Sequence, residues 1–179
     1  MAIDLCQCVP KGTLACQPHL PSVCVAVLAW RETRVLAEHL REVLSASAIV
    51  EVSHRMPSLD YESLFQISTF LGGDRREAKR LFRLMCFNVF AHNRDDHSNN
   101  FTWLCDDKGN WSLSPAYDLT YSDGMGGEHA TSILGRGLPT EDDILDLAKE
   151  VGLPAGWSRR TVHEIREICA DLLVRLHLR

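Results

Sequence analysis

The run Asn93-Arg94-Asp95-Asp96-His97-Ser98-Asn99-Asn100 interrupts an otherwise apolar stretch of chain, and its reading decides the fold. Upstream, Asp74 with Glu77 three residues later resembles a capping box and opens a helix. The apolar stripe of that helix is Ala78, Leu81, Phe82, Met85 and Val89. The helical period fades near Asn93, where the polar residues begin. Downstream, Phe101–Leu104 and Trp111–Leu113 read as two short strands, with Asp106–Asn110 supplying the turn chemistry of a hairpin. Pro115 stops the second strand, and the chain passes into Ala116-Tyr117-Asp118.

This order of elements matches what phosphoryl transfer requires. A carboxylate must hold the attacking hydroxyl and accept its proton. An amide oxygen and a second carboxylate must bind the magnesium that neutralises the triphosphate. Arg94-Asp95, then Asn100 five residues beyond the aspartate, then a hairpin and Asp118, place these groups in the expected sequence. Each residue alone has a plainer role: Asp95 or Asp96 as a turn cap, Asn99 and Asn100 as loop residues tolerating a left-handed backbone, Asp118 as a helix cap. The ordered set favours the chemical reading. A metal-hydrolase alternative rests on the cluster His92, Asp95, Asp96 and His97, in which a helical loop would put His92 and Asp96 on one face with Asp95 beside them, and Glu128 with His129 is the best further ligand pair. Arg94 lies inside that cluster and speaks against it.

The 179 residues suit one ordinary domain. Seven cysteines, an odd number at irregular spacing, argue against a secreted disulfide framework and predict a reducing cytoplasm. Cys6, Cys8, Cys16 and Cys24 lack the paired knuckles of structural zinc. The apolar run from Val23 to Trp30 is too short to span a membrane, and no basic residue precedes Lys11 to open a signal peptide. A net charge of -5 argues against direct nucleic-acid binding, and Arg75, Arg76, Lys79 and Arg80 read as a solvated helix face.

Residues 1–50 form a poorly defined segment, in which 32–48 carry Val35, Leu36, Leu40, Val43 and Leu44 at helical spacing. Residues 51–179 form the organised domain. Within it Asp60 caps a helix to Leu71, Thr140 with Asp143 caps another, and a last helix from about Ser158 carries Val162, Ile165, Ile168, Cys169, Leu172 and Leu176 on one face. The Gly-rich stretch 122–137 reads as a mobile loop, with Ser122 and Thr131 as solvated residues. The fold class is mainly α with a small β-hairpin.

The segments from Phe87 to Phe101 and from Leu113 to Leu119, with Pro57–Glu62 upstream and Gly126–His129 downstream, resemble the carboxy-terminal domain of HipA-family serine/threonine kinases. Those are toxins of bacterial type II toxin–antitoxin modules. The resemblance implies a kinase-like C-terminal lobe of HipA type that uses ATP and Mg2+. It makes Asp95 the proton acceptor and gives Asn100 and Asp118 the magnesium. His97, Ser98, Asn99 and Tyr117 then lie against the nucleotide. It also implies a translation-related protein substrate and a DNA-binding antitoxin partner. Family members often carry lysine where Asn99 stands, so one phosphate-contacting charge is missing. The family's amino-terminal lobe, with its ATP-covering loop and phosphate-binding lysine, has no counterpart in the residues before the core, where Lys11 is the only lysine ahead of Lys79. A catalytically inactive remnant serving as an interaction module is the alternative that this departure raises.

Overall fold

A computed structural model describes residues 40–49, 59–72 and 74–177. The zinc, membrane-run and lysine readings made on residues before 40 lie outside the described residues. Strand β1 (Leu40–Ser45) leads into a single helical turn, α1 (Ala46–Ile49). Helices α2 (Tyr61–Phe70) and α3 (Arg75–Phe90) follow, then β2 (Thr102–Asp106) and β3 (Trp111–Leu113). Two further helices, α4 (Glu141–Glu150) and α5 (Ala155–Arg175), complete the domain.

The helix starts are set as the sequence suggests, with one difference. Asp60 accepts from the Ser63 amide at 2.7 Å and caps α2. Asp74 caps α3 by accepting from the amides of Arg76 and Glu77. Glu77 does not close the box back onto Asp74. Its carboxylate instead accepts from the Leu113 amide at 2.6 Å and pairs with Arg80, so it ties the start of α3 to the sheet. The complete capping box is at α4: Thr140 Oγ1 accepts from the Asp143 amide, and Asp143 accepts from the Thr140 amide at 2.8 Å. The Thr140 hydroxyl, donating to Asp143 Oδ2 at 2.7 Å, and then the Thr140 amide hold the Asp143 carboxyl below its ordinary range. Thr140→Ala is expected to destabilise the domain by about 1 kcal/mol, read from the urea unfolding midpoint.

The helix expected over 32–48 is corrected where the chain is described. Leu40–Ser45 is a strand, paired antiparallel to β2 with Leu44 opposite Trp103 and a register shift between Leu40 and Glu42. The sheet is therefore three-stranded in the order β1-β2-β3 rather than a lone hairpin. Leu40, Val43 and Leu44 satisfy a helical period, but a short apolar run is ambiguous, and a pairing edge decides it. Val43, on the supposed buried stripe, is 58% exposed. The hairpin between β2 and β3 turns on Asp106, whose carboxylate accepts from the amides of Lys108 and Asn110, with Gly109 at φ +83°.

The core lies between the helices and one face of the sheet. Tyr61, Leu64, Leu81, Phe82, Met85, Phe101, Trp103, Ile144, Leu147, Val162, Ile165 and Cys169 are all buried in it. In α5 the expected stripe is only partly inward, because Ile168 and Leu176 are exposed. The basic residues of α3 are largely engaged: Arg76 pairs with Asp74, Arg80 with Glu77, and Lys79 lies 5.0 Å over the Trp157 ring. This core holds the end of α3 and the start of β2 in place, and the polar run spans the gap between them.

Candidate active site

Helix α3 ends at Phe90, and the Asn93 amide closes the turn on the Asn88 carbonyl. His92 then takes a left-handed backbone, φ +54°, and turns the chain across the face of the domain. The two aspartates that follow point in opposite senses. Asp95 is exposed, with its Oδ1 4.0 Å from His97 Nε2. Asp96 is fully buried.

Asp96 sits in a polar network that sequence reasoning missed as such. Its Oδ2 accepts from the Tyr61 hydroxyl at 2.9 Å and lies 3.2 Å from His129 Nδ1, while Oδ1 accepts from the Thr131 amide. The Thr131 hydroxyl donates to the Asp96 carbonyl. Asn93 donates to Asn88, and Asn88 to the Tyr61 oxygen, each at 3.0 Å. Burial, then the charge of Asp96, pushes the Tyr61 phenol well above its ordinary pKa, which keeps it a donor. Burying a carboxylate is tolerable only when it is surrounded by donors in this way. Thr131 is thus wholly buried, not a solvated loop residue.

The Gly-rich stretch is correspondingly anchored. Ser122 donates to the His92 carbonyl at 2.9 Å, Ala130 to the Arg94 carbonyl at 3.0 Å, and Tyr61 to the Ser132 carbonyl at 3.0 Å. Gly124, at φ +69°, permits the close crossing: a Cβ there would come within 2.2 Å of the Glu128 carbonyl oxygen and 2.8 Å of Arg94 Cβ. Glycine composition signals backbone freedom, which here serves close packing. Gly124→Ala is expected to cost more than about 1 kcal/mol, measurable as a lowered thermal midpoint.

The residues singled out around Asp95 form a second group. Ser98–Asn100 is a turn of 3-10 helix. The Asn100 side-chain amide donates to the Asp95 carbonyl at 2.9 Å, closing the loop on itself. The Tyr117 hydroxyl lies 2.5 Å from the Asn99 carbonyl and 2.6 Å from Thr102 Oγ1. Since a carbonyl only accepts, the Tyr117 hydroxyl donates there and accepts from Thr102. Burial raises the Tyr117 pKa, the Thr102 bond opposes this, and the Asp118 charge adds to it. The Ser47 hydroxyl donates to the Asn99 Oδ1, linking α1 to the same turn. Ser98 is buried, and His97 is partly so, its Nδ1 lacking a hydrogen-bond partner.

Asp118 follows Tyr117 directly and is exposed, at φ +53°. Aspartate tolerates this left-handed geometry better than most side chains. The Tyr117 hydroxyl ties the chain just before Asp118 to the turn at Asn99. The grouping of His92, Asp95, Asp96 and His97 as one metal cluster does not form, because Asp96 turns inward while Asp95 turns out. Among the described residues no three histidine, cysteine, aspartate or glutamate side chains are placed to hold a metal ion.

Comparison with known proteins agrees with this architecture. No curated protein matches the chain. Among solved structures, the fold is similar to a chain of the Shewanella oneidensis MR-1 toxin–antitoxin complex of HipA, HipB and its operator DNA. That likeness has a TM-score of 0.63 at 14% identity, over 76% of this chain and 37% of the other. The chain thus spans little more than a third of that relative's length. The HipA-like C-terminal domain matches residues 30–173. With four-fifths of its length so matched, the chain belongs to the HipA-like C-terminal domain family.

Proposed function

We propose that the domain is the catalytic part of a serine/threonine kinase that transfers the ATP γ-phosphate to a protein hydroxyl. The observation that carries this is the hydrogen-bonded loop from Asp95 to Asn100, tied through Tyr117 to the left-handed Asp118. In this reading the exposed Asp95 carboxylate orients the attacking hydroxyl and takes its proton. The Asn100 amide nitrogen is committed to the Asp95 carbonyl, and its Oδ1 is the amide-oxygen ligand of this reading. Asp118 supplies the carboxylate ligand. The donor set, one amide oxygen and one carboxylate, suits Mg2+, which keeps most of its coordination for water and phosphate. The magnesium, when bound with ATP, neutralises charge on the phosphates.

His97, Ser98, Asn99 and Tyr117 lie against the nucleotide in this reading, with the Tyr117 hydroxyl held by Asn99 and Thr102. A translation-related protein substrate, a DNA-binding antitoxin partner and a cytoplasmic setting complete the proposal. The buried free thiol of Cys86 is in keeping with a reducing compartment.

Calorimetric titration of the chain with Mg·ATP tests the site. Binding that requires magnesium and is lost in Asp118→Ala supports it. A folded chain that binds no nucleotide refutes the view that this polypeptide suffices as a kinase.

A further inference from the structure

Between the end of α3 and the Gly-rich stretch lies a cleft of about 250 Å³ that uses none of Asp95, Asn100 or Asp118. One wall is polar, made by His92, Arg94 and His129, and the other is apolar, made chiefly by Val89, Phe90 and Leu138. Arg94 has no carboxylate partner among the described residues. Its Nη1 donates to the Asp123 carbonyl at 3.2 Å, its Nη2 lies 3.4 Å from His92 Nδ1, and its Nε is buried without a partner. A guanidinium never loses its charge, so a half-buried one without a counter-ion is a standing demand for an anion.

The two histidines are oriented by their other nitrogens. Arg94 can only donate, so His92 Nδ1 accepts and the His92 proton sits on Nε2. Burial, then Arg94 and His129, lowers the His92 pKa, leaving a neutral ring with one N–H to offer. His129 donates from Nδ1 to the buried Asp96 carboxylate, which fixes its ring as a wall of the cleft. The acidic groups nearby are Asp123, whose charge opposes the lowering at His92, Asp96 behind His129, and Glu128, whose carboxylate lies against Gly137 next to Leu138.

We propose that this cleft binds a phosphoryl group carried on a protein hydroxyl. Arg94 and His92 donate to its oxygens, His129 closes a third side, and Val89, Phe90 and Leu138 take an adjoining apolar side chain. The Arg94 guanidinium and the His92 Nε2–H, approaching from separate points, suit the tetrahedral oxygens of a phosphoryl group. A planar carboxylate would want the paired fork of the guanidinium, whose Nη1 is already engaged by the Asp123 carbonyl. The site needs neither ATP nor magnesium and stands apart from the kinase reading.

The test is calorimetry on the full chain, without nucleotide, using a blocked phosphoserine peptide with leucine on either side, its unphosphorylated twin and inorganic phosphate. The phosphopeptide should bind and the twin should not, with inorganic phosphate weaker. Arg94→Gln and Leu138→Glu should each weaken the phosphopeptide at least tenfold. Leu138 is 58% exposed, so its exchange leaves the core intact even where Arg94→Gln disturbs folding. Asp118→Ala should bind the phosphopeptide as the parent does, which separates this site from the nucleotide site. No binding of the phosphopeptide, or binding indifferent to Leu138→Glu, overturns the proposal. Inorganic phosphate binding as tightly as the peptide overturns a protein-borne source and leaves a site for the free anion.

Discussion

Asp95→Asn is expected to lower phosphotransfer by roughly a hundred- to ten-thousand-fold, the usual worth of a positioned general base. The asparagine keeps the volume and polarity of the side chain but cannot take a proton. Asp95 is exposed, and the bond that closes the loop uses its backbone carbonyl, which the exchange leaves untouched. Stability should therefore change by no more than about 0.5 kcal/mol. Single-turnover phosphorylation of a protein substrate, with urea unfolding as the control, reads both quantities. A variant with full activity would remove Asp95 from the mechanism.

Its neighbour should behave in the opposite way. Asp96→Ala is expected to destabilise the domain by about 3–5 kcal/mol, since removing one partner from a buried charged network leaves the others unsatisfied. The Tyr61 hydroxyl, the Thr131 amide and His129 Nδ1 would each lose a buried acceptor. The network joins α2, the loop after α3 and the Gly-rich stretch, so its loss should also free the Gly-rich stretch. Faster amide exchange at Thr131 and Ser132 than at core α3 positions would report this. A loss below about 1 kcal/mol would show that Asp96 is dispensable to the fold.

Adjacent aspartates thus carry one exposed and one buried carboxylate, and nothing in their composition separates them. Each is an acidic residue in a polar run, and only the position of Tyr61 on α2 and of His129 and Thr131 beyond the hairpin makes Asp96 the inward one. The spacing of His129 from Asp96 offers no local signal, because the contact is made across 33 residues of chain.

Much else was legible locally. The cap at Asp60, the stripe of α3, the box at Thr140 and Asp143, and the hairpin turn on Asp106 all depend on residues within one or two turns of each other. Local hydrogen bonds and local periodicity determine such elements, so the sequence alone specifies them. The order of Asp95, Asn100 and Asp118 around the hairpin is legible for the same reason.

Leu40–Ser45 and the stretch 122–137 were decided otherwise. The first has a helical pattern, yet the open edge of β2 takes it as a strand, and its backbone bonds are made to partners some sixty residues on. The second has the glycines of a free loop, yet His92, Arg94 and Tyr61 supply backbone partners that hold it against the domain. In both, the backbone groups find their partners far away in sequence. The amino-acid order by itself determined the capped helices, the hairpin and the succession of chemical groups. Tertiary structure alone decided which carboxylate faces solvent and which ambiguous segment becomes a strand, because burial and long-range pairing exist only once the chain has folded.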